Sequence, residues 1–370
     1  MNSLIKIRFF FLHQVIYWAR CAKLMNMTLI VGYFGYESGQ VDGQTIKTQN
    51  MYHLFDSRDL NDKVPLCYFD TEKFKKSRFY IFELLLFIFL SRRIFYLGAH
   101  NNLKYIFPLI FIVSKLVRAD IHFVVVGGWL RDFLANKPLH RFMLSKIKRI
   151  YPETQLMTQE LRGEYGFFNL TQLSNFRVLS SGYVFGPRQR DHLEIKIVYM
   201  GRVIPEKGLR TIFKIREFIE SKSIDCISID IYGPVSSEYE GEFFSDIEKS
   251  EGIIRYKGIL EPNEIHKALT VYDLMLFPTQ YFTEGFPGSI LDAYIAGVPV
   301  IATKWKYADE FVVDNVSGII VPFGDEERFI STVMTVIQDA SLLQRLSVGA
   351  AEQVAKYTSE SAWGVIKKYV

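Results

Sequence analysis

A chain of 370 residues, 49% of them hydrophobic and 23% charged, is long enough for about two domains, each with a full core. Its three cysteines, Cys21, Cys67 and Cys226, are few and far apart, which excludes a disulfide framework or a cysteine-based metal site and fits a reducing compartment. The net charge of +4 divides unevenly: residues 1–190 hold 26 Lys and Arg against 13 Asp and Glu, and residues 191–370 hold 18 against 27, so a half at +13 precedes a half at −9.

The basic half favours an anionic surface or ligand. Residues 1–26 carry an apolar cluster, Phe9 to Leu12, broken by charges. The cluster is too short for a signal peptide and too interrupted for a membrane span, so this stretch reads as a peripheral N-terminal extension. The first strand is predicted over Thr28 to Phe34. A loop with three glycines, Gly35 to Gln44, precedes a helix from Thr45 to Phe55. That loop suits a phosphate but lacks the G-x-G-x-x-G spacing of a dinucleotide turn.

Further strands are predicted at Val64–Phe69, Ile94–Leu97, Ile121–Val126 and Thr154–Thr158. Phe79 to Leu90, FYIFELLLFIFL, would span only about 18 Å as a helix, against ~30 Å for a bilayer core, so it reads as a buried or membrane-surface helix. Lys137, Arg141, Lys146, Lys148 and Arg149 lie among Phe133, Leu134, Leu139, Phe142, Met143, Leu144 and Ile147, a mixture suited to an interfacial helix. His100 and His122 fall near first-half strand ends and take no assigned role.

A polar linker is placed at Tyr183 to His192. Strand–helix alternation then restarts, with strands at Ile195–Met200, Ile227–Tyr232, Ile253–Tyr256, Leu274–Phe277, Val298–Ala302 and Ile319–Val321. Helices fit at Leu209–Lys222, Asn263–Thr270, Ser289–Ala296 and Glu326–Val336. Alternation of this kind means a parallel sheet covered by helices, and it occurs twice. Ligands of such sheets bind beyond the C-terminal strand ends. Two facing sheets put the active site in the cleft between the domains.

The densest chemistry lies at Thr279 to Thr303, TQYFTEGFPGSILDAYIAGVPVIAT. A strand feeds the loop Glu284-Gly285-Phe286-Pro287-Gly288-Ser289, and a helix starts there. A helix N-terminus offers unpaired N–H groups and a positive dipole end to an anion. Glu284 and Asp292 flank it, an arrangement suited to a ligand with both phosphates and sugar hydroxyls. Upstream, Gly201 ends a strand, and Arg202 and Lys207 follow with R-x4-K spacing, a fork and a point charge workable for a diphosphate.

Together, MGRVIPEKGL (Met200–Leu209), IYG (Ile231–Gly233), YKG (Tyr256–Gly258) and the stretch from Phe277 to Thr303 resemble the donor domain of glycosyltransferase family 4. VDGQTIKT (Val41–Thr48) and FVVVGGWLRDFL (Phe123–Leu134) resemble its acceptor domain, and YTSESAWGVIKKYV (Tyr357–Val370) its closing helix. The resemblance implies an α/β GT-B fold, two Rossmann-like domains with parallel sheets facing across a cleft. Residues 27–185 would bind the acceptor, 191–352 the nucleotide-sugar, and 353–370 would return to the first domain.

The implied reaction is sugar transfer from a nucleotide-sugar, a UDP-sugar by expectation, with retention of anomeric configuration. Arg202 and Lys207 would hold the donor diphosphate and Glu284 would sit against the sugar. The N–H groups of Phe286, Pro287's successor Gly288, and Ser289 would meet sugar and phosphate. Asp292 stands where the family has a second Glu for the ribose, one methylene shorter. Tyr256 to Gly258 would pass the base, with Gly201 and Gly233 at neighbouring strand ends. Gly43 and Gln44 would close on the diphosphate. The family's front-face displacement uses the leaving phosphate to deprotonate the acceptor, so cations on that phosphate carry much of the catalysis.

No cofactor and no metal are expected, since no DxD-like cluster ends a strand. The expected partners are a glycan or polyprenyl-diphosphate-linked acceptor and an anionic membrane surface, not nucleic acid. By analogy this points to bacterial surface-polysaccharide assembly, with the protein peripheral on the cytoplasmic face. A GT-B epimerase or phosphorylase, or an inactive GT-B binding subunit, are the alternatives.

Overall fold

The computed structural model describes residues 27–58, 64–179, 194–222 and 226–370. The N-terminal extension and the Tyr183–His192 linker lie outside the described residues.

The first sheet consists of β1 (Met27–Gly32), β2 (Leu66–Asp70), β3 (Ser91–Leu97), β4 (Asp120–Val124) and β5 (Arg149–Tyr151), all parallel, in the order β2-β1-β3-β4-β5. All six residues of β1 are buried, as a central strand covered on both faces requires. The second sheet holds β6 (Ile195–Met200), β7 (Ile227–Tyr232), β8 (Ile254–Tyr256), β9 (Leu274–Phe277), β10 (Val300–Thr303) and β11 (Gly318–Val321). Its order is β11-β10-β9-β6-β7-β8, again parallel throughout. Counted from β6, that is the 3-2-1-4-5-6 order of dinucleotide-binding sheets, read from its far edge. The order reverses between β6 and β9. The loops leaving those two strands therefore diverge and open a crevice.

Thr154 to Thr158 is not a strand. β5 ends at Tyr151, and Thr154 caps a helix over Gln155–Tyr165, its Oγ1 accepting the Met157 N–H at 3.0 Å. Pro152 cannot donate to a ladder, and a threonine with its hydroxyl three residues ahead of a free N–H is a good cap.

The basic run is helical only in part, and only part of its apolar content faces outward. Pro138–Ser145 is helical, but His140, Met143 and Leu144 are buried, as are Phe133, Leu134 and Ile147. Only Leu139 and Phe142 of the apolar residues in that run are exposed. Arg149 stacks over the Tyr369 ring at 3.9 Å and Lys148 pairs with Asp120. The Tyr80–Leu90 helix buries only Leu84 and Ile88 and leaves Phe82 and Phe89 exposed, beside Phe79. It packs against a helix over Phe107–Val117 that the sequence reading did not place, and that helix exposes Ile112 and Leu116.

At the C-terminus, the Ser359–Ile366 helix inserts Ala362 and Ile366 among Ile30, Phe34, Leu54 and Phe55 of the first domain. The Trp363 ring meets Phe55 edge-on at 5.5 Å.

Candidate active site

The loops that leave β6 and β9 meet at one cavity of about 380 Å³. Its lining includes Gly201, Arg202, Lys207, Gly233, Glu284, Phe286, Pro287, Gly288, Ser289 and Asp292 from the second domain. Gly43, Gln44, Gly127, Glu153, Asn175 and Arg177 line it from the first. Tyr256 and Gly258 stand apart from the lining, where Ile259 and Leu260 take their place. The Tyr256 ring packs edge-on against Phe243, and its hydroxyl donates to the Gly233 carbonyl at 2.9 Å.

The β6 loop is built around backbone turns. Pro205–Lys207 is one turn of 3₁₀ helix, and Gly208 ends it at φ 79° with no room for a Cβ against the Pro278 carbonyl. That turn directs Lys207 inward, to an ion pair with Glu284 across the switch point. Their side chains are only 12% and 17% exposed, so Lys207 is not the surface residue that its loop position suggests. Burial, with the Arg202 charge nearby, pushes the Lys207 ammonium down to about 7. The Glu284 carboxylate favours the charged form, and an incoming diphosphate would favour it in the same way.

The helix over Gly288–Ile295 begins at this pair. Its N-cap is Pro287, which offers no side-chain acceptor. The Phe286 N–H just ahead of it donates across the cleft to Glu153 Oε2 at 3.0 Å. The helix over Gly43–Asp56 also starts at the cavity, but Asp42 closes its end: Oδ1 accepts the Gln44 and Thr45 N–H groups at 2.9 Å each. The Gln44 N–H is thus already bonded, and a carboxylate sits where a phosphate would approach.

Asp292 is in the cavity wall, about one turn into its helix, with both oxygens engaged. Arg177 Nε and Nη2 donate to Oδ1 and Oδ2 at 2.7 Å each, and His266 Nε2 lies 2.9 Å from Oδ1. Burial alone would raise this carboxyl, but Arg177 and His266 outweigh it and hold it below the usual carboxylate range. With Oδ1 filled twice, one lone pair on Oδ2 remains for a ligand hydroxyl.

Three of these residues, Glu153, Arg177 and His266, belong to no motif read in the sequence. Nothing local marks them, because each acquires its meaning from a partner on another element. His122 is structural: it stacks on Phe95, meets Tyr151 Oη at 3.1 Å, and burial pushes it down to about 4. His100 lies against Trp129 and Phe133. Among the described residues, no group of three His, Cys, Asp or Glu is placed to hold a metal ion.

Residues 186–353 match the family described as glycosyl transferases, group 1. Among curated proteins, the chain is 25% identical over 170 residues to the capsular polysaccharide biosynthesis glycosyltransferase CapM of Staphylococcus aureus, covering 45% of this chain and 43% of that one. It is also 25% identical over 178 residues to the amylovoran biosynthesis glycosyltransferase AmsK of Erwinia amylovora, covering 46% and 40%. The chain thus spans less than half the length of these relatives. Among solved structures, Anabaena Alr3699/HepE in complex with UDP-glucose superposes with a TM-score of 0.70 at 12% identity, over 92% of this chain and 98% of that one. The sucrose-phosphate synthase of Thermosynechococcus elongatus superposes at 0.68 and 13% identity, over 93% and 98%. Likeness at that identity establishes the two-domain fold.

Proposed function

We propose that this chain, whose second domain is a group 1 glycosyltransferase domain, moves a sugar from a UDP-sugar to a glycan acceptor with retention of configuration and without a metal. The observation that carries this reading is the ion pair of Lys207 and Glu284 beside Arg202, set where the strand order reverses and facing a helix end with no side-chain cap. Two cations and free N–H groups suit a diphosphate, and a carboxylate next to them suits sugar hydroxyls. As the sugar–phosphate bond breaks, negative charge grows on the leaving phosphate, where Arg202 and Lys207 stabilise it.

The acceptor reading extends this to surface-polysaccharide assembly on a lipid carrier. Its support is the company of relatives that make capsule and amylovoran, and one face of the first domain. Phe79, Phe82, Phe89, Ile112, Leu116, Leu139 and Phe142 are exposed on three neighbouring helical segments, with Lys75, Lys76, Lys115 and Arg141 close in sequence. No described helix is long and apolar enough to cross a membrane. Exposed aromatics mixed with cations suit the surface of an anionic bilayer, at ~1 kcal/mol per basic residue, screened by salt.

The experiment is a panel of nucleotide sugars tested for thermal stabilisation and slow hydrolysis. A UDP-sugar that does both supports the reading; a panel that neither stabilises nor turns over overturns it. Co-sedimentation with anionic and neutral vesicles tests the membrane face, and equal binding to both lipids would contradict it.

A further inference from the structure

Lys47 and Glu153 form an ion pair whose side chains are 1% and 3% exposed. Lys47 rises from the Gly43–Asp56 helix and also donates to the Val125 carbonyl at 2.8 Å; Glu153 follows β5. Taking two charges out of water costs several kcal/mol per ion, and a well-packed apolar pair would often hold the fold as firmly. A role in stability alone is therefore a poor reason for this pair.

Only one oxygen of Glu153 serves the pair. The other, Oε2, accepts the Gly127 N–H at 3.3 Å and the Phe286 N–H at 3.0 Å. The first of these donors lies on the acceptor-side β4 loop, the second on the donor loop of the opposite domain. The two loops are in close contact here. A Cβ on Gly285 would overlap Glu153 Oε2, and one on Gly128 would overlap the Thr283 carbonyl. Across the same cleft, Gln155 and Leu156 N–H groups donate to Glu310 at 2.6 and 2.8 Å, and Lys306 pairs with Glu160.

We infer that Glu153 is a positioning residue of the cleft, which grips the donor loop through the Phe286 N–H and so sets the registry between the two domains, with Lys47 supplying the opposite charge. Phe286 lies two residues beyond Glu284, so fixing its backbone fixes where Glu284 faces the first domain. This inference rests on the reading of the cavity as a transfer site. Arg202, Lys207 and Glu284 all lie on the second domain, so nucleotide binding does not need Glu153, whereas transfer between domains does.

The test is Glu153→Gln in the full chain. A glutamine has one acceptor oxygen, and the Lys47 ammonium claims it. The amide NH₂ then faces the Gly127 and Phe286 N–H groups, donor against donor, with little change of shape. Loss of a hydrogen bond to a charged group predicts that kcat for transfer falls by about 10- to 100-fold. The UDP dissociation constant should stay within about threefold of the parent, since the direct phosphate contacts are untouched. Small-angle scattering with UDP present should show a larger radius of gyration than the parent. Unchanged kcat and compactness, or UDP affinity lost in parallel with kcat, would overturn the inference. If the parent turns over no nucleotide sugar, the proposed function fails but the scattering comparison still decides: an expanded Glu153→Gln protein supports the grip, and equal compactness refutes it.

Discussion

Two helix N-termini face the same cavity and differ in what closes them. The Gly43–Asp56 helix is capped from within, by its own Asp42 and a reciprocal bond from the Asp42 N–H to Thr45 Oγ1. The Gly288–Ile295 helix has no side-chain cap of its own; its neighbourhood is held by Glu153 and Arg177 of the other domain. A terminus that satisfies itself is finished as a structural element. A terminus left open, beside Arg202 and Lys207, is where an anion gains most. Glycine-rich turns precede both helices, so glycine content alone does not identify the ligand-binding one.

The comparison breaks most severely at Arg177. Replacing it by Met leaves Asp292 buried with only His266, and losing one partner of a buried pair costs about 3–5 kcal/mol. The melting temperature of Arg177→Met should fall by roughly 10 °C, and Asp292→Asn in the same chain should recover part of it. An unchanged melt would show that the second terminus does not depend on the first domain.

Lys207→Ala should lower kcat/KM by ~10²-fold, the usual cost of one donor on developing charge. Wild-type turnover in that variant would refute the diphosphate assignment. Asp42→Ala acts on the other terminus and should cost about 1 kcal/mol of stability, the worth of an N-cap. UDP affinity should not weaken in Asp42→Ala, because that carboxylate opposes a phosphate instead of holding one. A tenfold loss of UDP affinity would reverse the roles given to the two termini.

The smallest effect is a proton. Free Lys207 titrates near 7, and a bound diphosphate would keep it charged to higher pH. From pH 7.5 to 9 the bound state therefore holds more protons than the free state, and UDP affinity should fall with rising pH, by at most about tenfold per unit. Calorimetry in buffers of different ionisation enthalpy should show proton uptake at pH 8 that disappears in Lys207→Ala. Proton release at pH 8 would contradict this.

What could be read from the sequence was whatever lies contiguous in the chain. The segment Gly201 to Gly208 and the loop Glu284 to Ser289 each carry their own spacing, and the strand–helix alternation gave both parallel sheets. Glu153, Arg177 and His266 were invisible because each is an isolated residue joined to its partner only by the folded chain; Lys47 stood inside VDGQTIKT, but nothing there pointed to its pairing with Glu153. Thr154 was misread because threonine favours strands and caps alike; Pro152 was the local sign that β5 had ended. In the basic run, eight helical residues between two buried flanks carry too short a period to show which side chains face outward.

The most direct measurement is UDP titration calorimetry on the full chain in excess EDTA. A cation pair and an open helix terminus predict saturable 1:1 binding with the metal removed. Binding that vanishes in EDTA and returns with Mn²⁺ would mean that a metal, and not Arg202 and Lys207, holds the diphosphate.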